Sequence, residues 1–208
     1  MTVTINSKPF FQRCFRPAAN LLAGLGITPN QITLSNIAVS FAAGIAILSM
    51  PDAVWPLFLI PSALTVRLAF NHIDGLLACE HDMKTNLGAI LNEAADVISD
   101  GALYLPLAAV PGVPSRLVLL AVFLGIMTEL IGLAALRIGA DRREDGPMSK
   151  KPRGLVFSGI AIALGVGVAP GTWLDTVMVT TLLLLLFTVF RRTRNALAQV
   201  RAAGTAPC

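Results

Sequence analysis

Long apolar runs, broken by short polar or Pro/Gly-rich connections, set the plan of this chain. The first run enters through Gly26-Ile27-Thr28-Pro29-Asn30-Gln31, where Thr28 suits a helix N-cap and Pro29 the first turn, and continues to Met50. Pro51 to Pro56 reads as a turn. A second run, from about Leu57 to Leu77, carries Arg67, Asn71, His72 and Asp74 in its last half. After the short charged connection Cys79 to Asn86 comes a third, from about Leu87 to Val110, with Asn92, Glu93, Asp96 and Asp100 near its start. Pro111-Gly112-Val113-Pro114 ends it, and a fourth run, Leu117 to Leu136, is apolar except for Glu129. A basic linker, Arg137 to Gly154, leads to a fifth run, Leu155 to Val168, and a sixth, Val177 to Phe190, joined by Pro170-Gly171-Thr172. Ahead of them all, Lys8 to Gly24 sets Lys8, Arg13 and Arg16 among Phe10, Phe11, Phe15, Leu21 and Leu22, too polar to span a bilayer but suited to lie in its interface. The pattern predicts an all-α polytopic integral membrane protein with six transmembrane helices preceded by an interfacial amphipathic helix.

Composition agrees. The 208 residues are 55% hydrophobic and only 13% charged, with a mean hydropathy of +0.73, more apolar surface than a soluble domain of this length can bury. Six spans of about 20 residues leave no room for a sizeable domain outside the membrane. The expected division is a juxtamembrane segment over residues 1–25, a transmembrane domain over 26–195 and a cytoplasmic tail over 196–208. Met1 to Phe11 lacks the basic, apolar, small-residue order of a cleaved leader, so the first span is expected to be retained. Cys14, Cys79 and Cys208 have no paired spacing and no accompanying histidine cluster, and read as incidental thiols.

Charge adds orientation. The net charge of +4 points to anionic lipid headgroups or phosphorylated substrates and not to nucleic acid, because the basic residues gather at span ends. One set of loops holds Lys8, Arg13, Arg16, Lys84, Arg137, Arg142, Arg143, Lys150, Lys151, Arg153, Arg191, Arg192, Arg194 and Arg201, and the opposite set only Arg116. The positive-inside rule then places both termini, and the connection between the second and third spans, on the cytoplasmic side.

That connection joins the two polar stripes. Arg67, Asn71, Asp74 and Ala78 recur at helical spacing on one span, and Asn92, Asp96 and Asp100 on the next. With a linking loop of about eight residues, the two helices are expected to be antiparallel neighbours with the stripes facing. Hydrogen bonding between helices accounts for the amides but not for Asp74, Asp96 and Asp100, which repel one another unless a cation or Arg67 compensates. Oxygen donors so arranged suit Mg²⁺ or Mn²⁺. Gly75 and Gly88 remove side chains where a ligand or the partner helix approaches.

Asn71-His72-Ile73-Asp74-Gly75-Leu76-Leu77-Ala78-Cys79, eight residues, then Gly88-Ala89-Ile90-Leu91-Asn92-Glu93-Ala94-Ala95-Asp96 resembles the signature of the CDP-alcohol phosphotransferases, D-x-x-D-G-x-x-A-R, eight residues, G-x-x-x-D-x-x-x-D. Every spacing matches, and Asp74, Gly75, Ala78, Gly88 and Asp96 match in identity. Asn71 and Asn92 stand where that family has its first and third aspartates, and Cys79 where it has arginine. The resemblance implies a six-span fold, a homodimer, and transfer of a phosphatidyl group from CDP-diacylglycerol or a similar CDP-alcohol to an alcohol, releasing CMP. It implies a divalent metal pair at Asn71, Asp74, Asn92 and Asp96, set against the donor's pyrophosphate, with Asp74, Gly75, Ala78 and Gly88 meeting the donor nucleotide and Asp96 as the catalytic base. Glu93 and Asp100 are candidates to restore the charge that the two asparagines lack. The site is expected at a bacterial cytoplasmic membrane.

Around this core, Arg137, Lys150, Lys151 and Arg153 are candidates to hold an acceptor phosphate, as on glycerol 3-phosphate, or simply to set topology and touch lipid headgroups. Arg67 reads as a counter-ion for the acids and His72 as structural, whereas Glu129, in mid-span, is assigned no role: a functional group and pairing with a neighbouring helix's polar group both stand. Two readings from other classes stand beside the enzyme: an inactive module of the same fold that binds lipid or nucleotide, and a small cation pathway. The last lacks the internal repeat common among transporters.

Overall fold

The structure, a computed structural model, describes residues 8–81 and 83–204, with side chains from residue 14 onward. The readings that fall on the start of the chain, on Cys208 and on the end of the tail lie outside the described residues. Seven helices follow one another: α1 (Lys8–Gly24), α2 (Pro29–Ser49), α3 (Leu59–Glu80, entered by a 3₁₀ turn at Trp55–Phe58), α4 (Asn86–Tyr104, extended by a 3₁₀ turn at Leu105–Ala109), α5 (Ser115–Arg137), α6 (Lys150–Gly165) and α7 (Thr172–Gly204).

Local chemistry explains the boundaries. Thr28 and Gln31 form a reciprocal capping box at the start of α2, the Thr28 amide donating to Gln31 Oε1 at 2.9 Å, with Pro29 in the first turn as expected. Thr85 caps α4 by accepting from the Gly88 amide at 2.9 Å. Pro152 sits in the first turn of α6, where its missing N–H costs nothing, so this helix starts at Lys150 and takes in part of the expected linker. The last helix runs on unbroken to Gly204, past position 195 where a tail was expected to begin.

Among the described residues, four helical stretches are long and apolar enough to cross a membrane: Pro29–Ser49, Trp55–Glu80, Ser115–Arg137 and Thr172–Gly204. Phe41, Ile45, Leu119, Phe123, Leu183 and Phe187 turn outward from them, as lipid-facing side chains do. The other two expected spans fall short on these criteria for physical reasons. Glu93, Asp96 and Asp100 lie on α4, and α6 has 16 residues, about 24 Å of helix, beginning with three cations.

The second helix is the centre of the site end. Asn30 lies against Gly88, and Gly44 against the Ala102 carbonyl, so α2 and α4 run parallel in register. A Cβ on Gly44 would stand 2.1 Å from that carbonyl oxygen. The same helix packs on α3, whereas α3 and α4 share almost no direct packing. This corrects the expectation that a short loop makes them packed neighbours: they are antiparallel, but α2 fills the angle between them. Behind them, α6 stacks Phe157 on Tyr104 at a centroid distance of 4.2 Å, and α5 packs along α7. α1 covers α3 through Ala19, Phe15 and Leu22.

Charged side chains bridge the gap that the backbones leave. Asp100, 6% exposed, receives Arg67 at 2.8 Å and Arg153 at 2.7 Å, tying α3, α4 and α6. Arg153 also reaches Glu129 on α5 at 3.6 Å, and Glu129 reaches Arg192 on α7 at 3.7 Å. Arg67 is thus the counter-ion expected, and Glu129 is paired with neighbouring helices. The connection between α5 and α6 is docked as well. Asp145 takes hydrogen bonds from Asn195 at 2.7 Å and Arg143 at 2.9 Å, and the Met148 amide donates to Thr188 at 3.0 Å. Partial burial pushes the Asp145 carboxyl up, but the Asn195 and Arg143 hydrogen bonds outweigh it and hold the group below the usual carboxylate range.

Two outcomes follow for stability. Asp100→Asn leaves Arg67 and Arg153 buried without their anion, so thermal unfolding in detergent should reveal a loss of about 3–5 kcal/mol; an unchanged melting profile would contradict the strut. Gly44→Ala should cost about 1–3 kcal/mol by forcing α2 from the Ala102 carbonyl, with Ala102→Gly offering no rescue because the clash is with backbone.

Candidate functional site

Pro29 and Asn30 at the start of α2, the end of α3, the start of α4 and the turn between the last two enclose an open cavity of about 420 Å³. Its walls include Asn30, Thr33, Asp74, Gly75, Ala78, Lys84, Gly88 and Asn92. Five motif positions separated by up to 18 residues in the chain therefore share one cavity. A Cβ added to Gly75 would meet nothing within 4 Å, so the missing side chain widens open space. Gly88 serves packing: a Cβ there would stand 2.7 Å from the Asn30 amide oxygen.

The acids divide by depth. Asp74 is close enough to Asp96 for their charges to repel, and the Thr33 hydroxyl stands within reach of Asp74 and of the Pro29 carbonyl. Asp96, with its side chain 21% exposed, is met by the Lys150 ammonium and, at 3.8 Å, by Arg67. One turn deeper, Asp100 is wholly committed to its two arginines. Glu93 is paired with Arg142 of the linker. The two candidate compensating acids are therefore each engaged by arginine.

The amides have a partner that the motif does not contain. Asn36 on α2, 4% exposed, donates to Asn71 Oδ1 at 2.7 Å, and its own Oδ1 is buried without a hydrogen-bond partner. Among the described residues, no three His, Cys, Asp or Glu side chains come together as a metal cluster. A cation here would have to combine the Asp74 and Asp96 carboxylates with amide oxygens of Asn71 and Asn92. That all-oxygen set fits a hard divalent ion, and the unsatisfied Asn36 oxygen adds one more donor beside Asn71.

Of the four cations expected near an acceptor phosphate, Arg153 is buried and bound to Asp100, Gly125 and Thr128, and Lys150 faces Asp96. Arg137 and Lys151 are exposed. Cys79, at the arginine position of the motif, is an exposed free thiol outside the cavity wall. His72 bonds the Leu68 carbonyl at 2.7 Å and lies against Phe15, a structural placement. Sequence reasoning missed Thr33 and Asn36. The signal was present: Asn30, Thr33, Asn36 and Ser40 form a polar stripe at helical spacing along an otherwise apolar run.

A family model described as CDP-alcohol phosphatidyltransferase matches residues 26–203. The chain is 38% identical to "Inner membrane protein YnbA" of Escherichia coli (strain K12) over 91% of its own length and 94% of that protein's. It is 30% identical to the phosphatidylinositol phosphate synthase of Mycobacterium marinum over 78% of its length and 68% of that protein's. Among solved structures, Mycobacterium tuberculosis phosphatidylinositol phosphate synthase in complex with manganese and citrate superposes with a TM-score of 0.73 at 22% identity, covering 87% of this chain and 88% of that one. The same enzyme with CDP-DAG bound gives a TM-score of 0.71 at 24% identity, covering 90% and 94%. These two likenesses establish a shared fold. The match of the family model across nearly the whole chain goes further, and the motif read from Asn71 to Asp96 is what it should contain: the protein belongs to the CDP-alcohol phosphatidyltransferase family.

Proposed function

We propose that this protein transfers a phosphatidyl group from a CDP-diacylglycerol-type donor to an alcohol hydroxyl at the cavity between α2, α3 and α4. The observation that carries the reading is the convergence of Asp74, Gly75, Ala78, Gly88 and Asn92 on one open cavity. Gly75 and Ala78 keep its wall low, so a nucleotide diphosphate can come against the backbone of α3. Asn71, Asp74, Asn92 and Asp96 hold Mg²⁺ or Mn²⁺, and the ion supplies positive charge against the donor's phosphates. Manganese and CDP-DAG in structures of a related synthase support the cofactor and donor. The acceptor hydroxyl attacks the donor's β-phosphorus, the bond to the CMP oxygen breaks, and Asp96 takes the hydroxyl proton.

The acceptor carries a phosphate of its own in this reading, glycerol 3-phosphate being one such alcohol. Arg137 and Lys151 are the exposed candidates to meet it, now that Arg153 is accounted for as a strut. The product named for the relatives, phosphatidylinositol phosphate, likewise has a phosphate beyond the diester.

Six membrane crossings are part of the proposal. α2 and α4 run parallel, α6 runs antiparallel to α3, as Gly154 against Leu64 and Gly165 against Phe58 attest, and alternating direction is what six successive crossings require. In this reading α1 lies in the interface, and the cations at the site end, with the positive-inside rule, support a cavity on the cytoplasmic side of a bacterial inner membrane.

One set of observations favours the second reading, a binding module without turnover: both Asn71 and Asn92 are neutral, and Lys150 occupies Asp96. CMP release from labelled CDP-diacylglycerol with Mn²⁺ and a panel of phosphorylated and plain alcohols separates the two. The enzyme reading expects release that falls about 10²–10⁴-fold in Asp96→Asn. Binding of the donor with no release for any acceptor, or equal release from both proteins, would sink it.

A further inference from the structure

Lys84 lines the cavity itself, and a second cation stands behind its Asp74 wall. Lys150 opens α6, and its ammonium sits on the Asp96 carboxylate close enough to Asp74 to act on that charge as well. Its position is determined from behind. Arg153, three residues on along the same helix, is anchored to Asp100, and Asp100 lies one turn from Asp96 on α4. The three-residue step from Lys150 to Arg153 on α6 thus runs beside the four-residue step from Asp96 to Asp100 on α4, and the deeper pair docks the shallower one. The amides are placed differently: Asn71 meets Asn36, and Asn92 lines the cavity together with Lys84.

The charges explain what such a lysine is for. Ionised, the three groups Asp74, Asp96 and Lys150 together carry one net negative charge, and a single divalent cation among them turns that into one positive charge. A second divalent cation would leave three positive charges within a few ångströms of one another, next to the buried Arg67, in a site flanked by apolar helices where such repulsion is poorly screened. Replacing two carboxylates by Asn71 and Asn92 removes the anions that would hold a second ion, and the lysine supplies the positive charge that such an ion would have brought to a diphosphate.

We propose that the Lys150 ammonium takes the place of a second metal ion in this protein: the site binds one divalent cation, and Lys150 neutralises Asp96 until a donor diphosphate arrives to share it. The proposal rests on the phosphotransfer reading for the identity of the anion, but its central claim concerns cation number and is tested without turnover. Lys150 is side-chain accessible at 35%, so it can move from carboxylate to phosphate without unfolding α6.

The test is Mn²⁺ titration of the purified protein in nanodiscs, counted by electron paramagnetic resonance, for the unsubstituted chain, Lys150→Gln and Lys150→Arg. The unsubstituted chain should bind one Mn²⁺, and Lys150→Arg should match it. Lys150→Gln should bind Mn²⁺ about tenfold tighter or take up a second ion, because a positive charge beside the carboxylates is gone. Two ions of similar affinity in the unsubstituted chain overturn the proposal with no variant required, and so does a Lys150→Gln titration that overlays the unsubstituted one. Failure of CMP release alongside the expected Mn²⁺ counts would instead overturn the reaction and leave the role of Lys150 standing.

Discussion

A carboxylate buried between two arginines holds this fold together at its site end. Asp100 lies within an apolar bundle, where an unpaired charge is among the costliest things a helix can carry, and it persists there because Arg67 and Arg153 reach it from two other helices. The pairing constrains three helices at once. It explains why α3 and α4 can stand apart without direct packing, and why α6, though short, has a determined register. Arg153 passes the constraint to Glu129, and Glu129 passes it to Arg192, so α5 and α7 are tied to the same line of charge.

The gap that this line spans is filled on its other side by α2. Gly44 brings its backbone against α4, Asn30 braces Gly88, and Asn36 holds Asn71. The cavity exists because α2 lets α3 and α4 diverge toward the turn between them while the charged struts hold them together one or two turns deeper. The shape suits the proposed lipid-linked donor: an open cavity with a polar inner wall and apolar flanks.

Much of this was legible in the pattern of residues. The apolar runs located the helices, Thr28 and Pro29 located the start of α2, and five residues of the motif, Asp74, Gly75, Ala78, Gly88 and Asn92, line the cavity. Arg67 read correctly as a counter-ion, since an ionised side chain in an apolar run must find a counter-charge, whereas the partners of Glu129 were open until Arg153 and Arg192 were placed beside it. Other features were hidden. A short loop requires only that two helices be close at one end, so it could not reveal that α2 separates α3 from α4. Arg153 looked like one more cation in a basic linker because its burial depends on Asp100, which is 53 residues away. Thr33 and Asn36 were overlooked because amides and hydroxyls in a membrane helix are ordinarily read as glue.

Depth is what separates scaffold from site among these acids. Asp96 and Asp100 are four residues apart on one face of α4, about 6 Å along the axis. At the deeper position both carboxylate oxygens are claimed by guanidinium groups that have no other anion of comparable closeness, so the charge is fixed. At the shallower one the partner is a lysine, a compact charge on a flexible stem that leads back toward solvent. A guanidinium in that place would bind in a planar fork and release its carboxylate reluctantly; an ammonium can turn from one oxygen to another with little loss. The pattern of arginine below and lysine above therefore turns one helical turn of α4 into a boundary: beneath it charge serves the fold, and above it charge is available to whatever enters the cavity.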